Sequence, residues 1–412
     1  MKLFNRLNIV SICLFNFFIV SLLGLLMRYK IGFEFPYLDQ RNLQHAHSHF
    51  AFAGWVTLLL MALMVKVLKS KQDFNNTYFN ILLVIQLICS YGVLISFIIQ
   101  GYKFWTILFL VLLILTSFAF SIEYIRRAFK IKLFEGSKWF LAGLFFNFIS
   151  TFGTFYLSYM MASHAFDQDK YLTSIYWYLH FQYNGFFFFC CLGLLIDYLE
   201  TQQVSVLPLR SAFNLFFIAC IPAVGLSLLW MKLPNWIYYL IIPAALVQIF
   251  AWFKILAFIN RSSFKQVFPV LLKYLFICLA LSFTIKFLLQ LGSAFPVLNQ
   301  MVFGSRAVII AYLHLVLLVC ISVFLLVYVY INNFIFITKT LQIGLIVLIL
   351  SIYINELLLA IHGIFSMNYV LVPYINEMLF SISLVISVGL FMIVLSVLKQ
   401  KKTIATYDLG HK

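Results

Sequence analysis

Three histidines alternate at positions 45, 47 and 49 in the stretch HAHSHFAFAGW, where a long apolar run begins. Only 8 histidines occur in 412 residues, so each position carries information. His180 in YWYLHFQYNGFFFF and His314 in AYLHLVLL stand inside apolar sequence, while His164 and His362 stand near the ends of apolar runs. A neutral imidazole is the commonest metal ligand and an axial ligand of haem iron. Inside a bilayer it is costly and faces a bundle interior or water. Histidines from separate helices at one depth can therefore converge on one ligand. On a regular helix His45 and His49 lie only about 40° apart, and His47 points nearly the other way. A regular helix cannot aim all three at one iron; if the helix begins later, His45 is in a loop and the geometry is open. Either His45 or His49 faces the core, and His47 meets a second group, a neighbouring helix or solvent.

Further polar groups join these histidines. Glu356, in SIYINELLLAIHG, is a carboxylate within an apolar run and needs a partner or a proton. It could relay protons, orient a ligating histidine, or sit protonated in a structural hydrogen bond. Tyr312, Tyr183, Gln182 and Asn184 fall near the level of His180 and His314. Arg306, Arg41 and Lys286 are cations that could pair acidic groups of a ligand, or serve as interfacial anchors. A lone histidine near a helix end is ordinarily an interfacial hydrogen-bonder, which is the reading for His164 and His362.

The elements that must position these groups are membrane helices. The chain is 64% hydrophobic and 10% charged, too little charge to cover the surface of a water-soluble protein this size. Twelve runs are long and apolar enough to span, at roughly 8–28, 44–68, 77–100, 104–124, 138–162, 172–198, 211–230, 235–258, 267–291, 306–331, 339–363 and 373–398. The first lacks a small-residue cleavage site and is expected to be retained. Loops between the runs are short, so residues 1–412 are expected to form a single transmembrane domain. With the N-terminus in the cytoplasm, twenty of the 28 Lys and Arg residues fall on the cytoplasmic side and eight on the other. That bias predicts an N-in, C-in topology and an even number of spans. The net charge of +16 then reflects membrane orientation, and no nucleic-acid partner is expected. The 7 cysteines fall in apolar runs without a CxxC pair and are expected to be small buried hydrophobes. In this topology every histidine except His411, in the tail, lies in the outer part of the membrane. His180 and His314 sit at matched depth, ~10–12 Å from their helix starts.

Twelve spans with histidines on the second, sixth and tenth resemble subunit I of the haem–copper oxidase superfamily. RNLQHAHSHFAFAGW is similar to the second-helix segment of the cbb3-type and nitric-oxide-reductase branches, where a haem-ligating histidine precedes an FAFGG-like run. That match makes His45 the nearest candidate for the low-spin haem ligand, with the register off by one. HAHSHFAF is also similar to the HAHEM…FGF stretch of the NnrS family, twelve-helix membrane proteins that contain haem and copper and are linked to the nitric oxide response. The tenth helix of the oxidases carries an HxH pair, one histidine per haem. Here it reads Tyr312-Leu313-His314, so the resemblance implies His314 as the low-spin ligand and Tyr312 in place of the other. His180 would match a copper ligand. The chain departs from the pattern in the seventh span, SAFNLFFIACIPAVGLSLLW, which has no histidine where the oxidases take two copper ligands. Tyr183 also stands at i+3 from His180, not at the i+4 of some oxidases.

Together these readings predict an all-α, twelve-helix bundle of the oxidase subunit I type. It is expected to bind at least one haem, most simply b-type, through His45 or His49 and His314. His47 and His180 are the candidates for a further metal contact, copper included. Electron transfer, or redox chemistry or sensing of O2 or NO, is expected rather than full proton-pumping oxygen reduction. The expected partners are the lipid bilayer and a redox protein on the outer face, and the Phe/Ile/Lys/Asn-rich usage points to a bacterial plasma membrane. Two rivals stand beside this. A small-solute or metal-ion transporter with a histidine-lined path would have broken helices near the midplane. A non-catalytic assembly or sensor subunit would have kept the fold and lost the chemistry.

Overall fold

The computed structural model describes residues 6–164, 166–231, 233–261, 270–295, 298–299, 302, 305–335 and 337–410. His411, Lys2, Lys232, Lys265 and Lys412, used above to place histidines and charge, lie outside them, as do residues 267–269 of the ninth run. The described residues form helices and no strand. Eleven of the helices are long and apolar enough to cross a membrane, and a bent pair makes a twelfth if it is one span. We number them α1 (Arg6–Gly32), α2 (Gln40–Lys71), α3 (Thr77–Gln100), α4 (Phe104–Ile131), α5 (Glu135–Ala162), α6 (Gln168–Thr201), α7 (Arg210–Cys220), α8 (Asn235–Arg261), α9 (Val270–Gly292), α10 (Arg306–Ile331), α11 (Lys339–Met367) and α12 (Ile375–Gly410).

Local chemistry sets the boundaries. Asp39 caps α2 by accepting the Asn42 N–H at 2.8 Å, and Asp167 caps α6 by accepting the Lys170 N–H at 3.0 Å. α3 ends at Gly101, which closes the last turn on Phe97 O with φ +67°, a conformation glycine adopts without strain. α7 stops at Pro222, which has no N–H to continue the ladder. The chain continues as a 3₁₀ turn, Pro222–Leu228, bent 48° from the preceding helix. The expected seventh span, 211–230, is therefore broken in its middle.

The chain divides into two compact units. The first holds residues 1–124, 325–362 and 371–412, and the second holds 125–324 and 363–370. In the first, α1 packs along α12 and α2, and α2 packs on α3. Phe17 of α1 stacks on Trp55 of α2 with centroids 4.4 Å apart. In the second, α5 lies against α6 so closely that a Cβ on Gly153 would fall 2.4 Å from Ser174 O. Trp177 Nε1 donates to Ile149 O across the same seam at 2.9 Å. The small residues Ala219 and Ala223 around the break in α7 pack on Ile241, Ala244 and Ala245 of α8.

Three of the described spans contain a π-helical stretch. α2 widens to a π-helix over Ala51–Thr57, α6 over Phe181–Phe187, and α10 over Leu315–Val323. A π turn displaces carbonyls from their usual i+4 donors, and side chains of neighbouring helices attend to them. In α2, Asn16 Nδ2 donates to Gly54 O at 2.7 Å and Gln86 Nε2 donates to Ala53 O at 3.1 Å. Tyr91 completes the group by donating to Asn16 Oδ1 at 2.8 Å.

Candidate functional site

The helix carrying the histidine trio is regular up to Phe50, so the spacing acts as predicted. His45 and His49 share a face, with ring centroids 6.3 Å apart. Both lie against Phe97 of α3, at 5.6 and 4.9 Å, and against Tyr102, at 4.8 and 6.3 Å. His49 Nε2 is 3.2 Å from the Tyr102 hydroxyl. His47 points the other way, towards α1. Its Nδ1 lies 3.0 Å from Val20 O, and its Cε1 passes over Gly24. A carbonyl only accepts, so the proton of this ring sits on Nδ1 and the lone pair on Nε2. All three rings are half-buried.

His180 ends the first α-helical part of α6 and is fully buried. Its Nε2 lies 2.9 Å from Cys220 O, the carbonyl left at the break in α7. In a continuous helix Cys220 O would take the N–H of Val224, but that N–H turns to Ile221 O at 3.2 Å in the 3₁₀ turn. His180 supplies the missing donor. Its Nδ1 then carries the lone pair, which Asn184 Nδ2 approaches at 3.2 Å. Both ring nitrogens are thus engaged, and the geometry is that of a histidine closing a broken helix. A metal at Nδ1 would have to displace the Asn184 amide.

His314 is the mirror case. Its Nδ1 is 2.9 Å from Ile310 O, one turn back on its own helix, so Nδ1 is the donor and Nε2 carries the lone pair. Histidines that bind metals hold their ring in this way, with the other nitrogen donating to a backbone carbonyl. Tyr312 and Tyr183 meet edge to face at 6.4 Å, while Gln182 turns towards α5, donating to Asn147 Oδ1 and Ser150 Oγ at 2.8 Å each. Tyr183 of α6 thus meets Tyr312 of α10, His180 faces the break in α7, and Gln182 serves the α5–α6 seam. Glu356 belongs to the first unit, where its Oε1 accepts from its neighbour Asn355 at 3.3 Å.

Two features were not foreseen. Each π-helical stretch begins one or two residues after a histidine: Ala51 after His49, Phe181 after His180, and Leu315 after His314. The other is Lys286. Read from the sequence as an outer-side anchor, it is only 2% exposed. Its ammonium lies 4.0 Å from the centre of the Phe287 ring and 5.3 Å from that of Phe188. Arg41 and Arg306 are exposed. Six of the 7 cysteines are buried and Cys278 is half-buried. Among the described residues no three His, Cys, Asp or Glu side chains gather as a metal-binding group. The copper contacts expected of His47 and His180 thus have no three-ligand set around them.

These observations define a class: a multi-pass helical membrane protein with histidines placed where three of its spans widen. No family model matches the chain, and no curated protein matches it either.

Proposed function

We propose that this chain is a haem-binding integral membrane protein related to haem–copper oxidase subunit I, acting in electron transfer or in binding a diatomic gas. The observation that carries the reading is the contact of His314 Nδ1 with Ile310 O at 2.9 Å. A carbonyl only accepts, so Nδ1 is the donor there and Nε2 is the nitrogen that would ligate iron. His314 would be one axial ligand. His45, whose ring makes aromatic contacts with Phe97 and Tyr102, is the candidate on α2, with His49 as its neighbour. Haem held by these histidines' own units would supply a redox-active iron or an open coordination position. Copper has no part in the proposal, because both nitrogens of His180 are engaged. The Lys and Arg distribution supports an N-in, C-in orientation, in a bacterial plasma membrane, with any redox partner on the outer face.

The test is an optical spectrum of the purified protein from a haem-replete host, oxidised and dithionite-reduced, repeated for His314→Ala. A sharp reduced α-band that disappears in the variant is expected. A colourless wild-type protein would refute the reading. A second reading, a small-solute transporter, is favoured by the 48° break in α7, since transporters bind substrate at interrupted spans. It predicts a colourless protein that moves solute in proteoliposomes and loses transport when Pro222 is replaced.

A further inference from the structure

One end of the second unit carries a cavity of about 310 Å³ where three elements finish at the same level. They are the start of α5, the end of α6 and the start of α7. On one side the lining is Glu135, Lys138 and Arg210; on the other it is chiefly Trp139, Ile196 and Phe213. The charges are arranged asymmetrically. Arg210 Nε donates to Glu135 Oε1 at 3.0 Å, and its Nη2 reaches the same oxygen. Lys138 Nζ donates to the two carboxylate oxygens at 3.0 and 3.2 Å. Two cations thus share one anion. The anion is underneath, with its side chain 16% exposed, and the cations face outwards at 37% for Lys138 and 55% for Arg210. Of the charged side chains that line the cavity, two are cations and one is an anion, and the cations are the ones on its open side. The N-terminal end of α5, a helix of 28 residues, adds its partial positive charge.

We propose that this cavity binds the headgroup of an anionic phospholipid, its phosphate between Arg210 and Lys138 and the start of its acyl chains against Phe213 and Trp139. The occupant follows from the lining. The two cations on the open side suit an anionic group. The cavity lies at the ends of membrane spans, where phosphates of a bilayer sit, and a tryptophan and apolar side chains flank the cations as they do at membrane interfaces. A free phosphate ion would gain nothing from that apolar wall. The site also has a structural consequence, because Arg210 is the first residue of the broken span. A bound lipid would hold the start of α7 to α5 at the end away from the His180 contact. This inference does not depend on whether the protein binds haem.

The experiment is native mass spectrometry of the full-length protein, delipidated and then titrated with phosphatidylglycerol or phosphatidylcholine. The wild type is expected to retain one phosphatidylglycerol in preference to phosphatidylcholine. Lys138→Gln with Arg210→Gln should reduce that preference about tenfold or more, given the contribution of each cation near an anionic headgroup. Glu135→Gln frees both cations and should increase retention severalfold. If the ion pair only ties α5 to α7, Glu135→Gln will not raise retention, and that result decides the matter should the double variant fail to fold. Equal retention of the two lipids, or displacement of the lipid by millimolar inorganic phosphate, would overturn the proposal.

Discussion

Replacing His180 with phenylalanine keeps a ring in place and removes two buried hydrogen bonds. One is the Nε2–H to Cys220 O at 2.9 Å, and the other is the contact from Asn184 Nδ2 to Nδ1 at 3.2 Å. The cost can be worked from what is left behind. Cys220 O faces a helix break whose nearest N–H, that of Val224, is committed to Ile221 O. Asn184 Nδ2 loses its acceptor, and Asn184 Oδ1 already has no hydrogen-bond partner among the described residues. A buried polar group stranded without a partner costs about 1–3 kcal/mol, so two give about 2–6 kcal/mol. The assay is denaturant unfolding in mixed micelles, run on His180→Phe, Asn184→Leu and the double variant. Asn184→Leu should cost less than His180→Phe, since it leaves the Cys220 bond intact. The double variant should cost less than the sum, because it removes the stranded amide along with its acceptor. A His180→Phe protein within about 0.5 kcal/mol of wild type would refute the argument that this ring closes the break. So would a variant that keeps its stability and loses the optical band, for His180 would then be a ligand.

Three further outcomes follow from other parts of the molecule. Lys286→Met should stabilise the protein, on the order of 1–3 kcal/mol, because the lysine is buried against Phe188 and Phe287 with no carboxylate of a described residue paired to it; lower stability in the same unfolding assay would show that the ammonium has a counter-ion. Gly153→Ala should destabilise by about 1–3 kcal/mol, since its methyl would press on Ser174 O and Tyr178 N of α6, and a variant as stable as wild type would mean that the seam can open without cost. The N-H of Lys170, with help from the lysine's charge, holds the Asp167 carboxyl below the usual carboxylate range. Its capping contribution is therefore present above the unfolded pKa and lost as pH falls through the lower folded value. Hydrogen exchange at Lys170, corrected for its intrinsic rate, should show the start of α6 fraying in acid and not in alkali, and Asp167→Asn should abolish that dependence.

Much of the span pattern could be read from the chain because a bilayer imposes a length requirement that hydropathy reports directly. The split between His45 and His49 on one side and His47 on the other was equally legible, as it needs only helical periodicity up to Phe50. The role of His180 was not. Its acceptor, Cys220, is 40 residues away and exists as an acceptor only because Pro222 interrupts another helix. The burial of Lys286 was hidden for a different reason. α9 is apolar on all sides, so no amphipathic stripe told which face turned inwards. The π-helical stretches left little trace. Gly54 and Gly185 fall within two of them, but Leu315–Val323 has neither glycine nor proline.

Those stretches have a consequence for how the helices respond to length changes. A π turn is equivalent to one residue inserted into an α-helix, so the residues on either side are turned by about 100° relative to an uninterrupted helix. Deleting one residue from Ala51–Thr57 would let α2 run straight. It would also swing the segment bearing His45 and His49 away from Phe97 while the other half stayed seated. The same deletion in Leu315–Val323 would rotate His314. Indels, which ordinarily ruin a membrane span, become here a means of steering each histidine about its own axis while the far half of the helix keeps its packing.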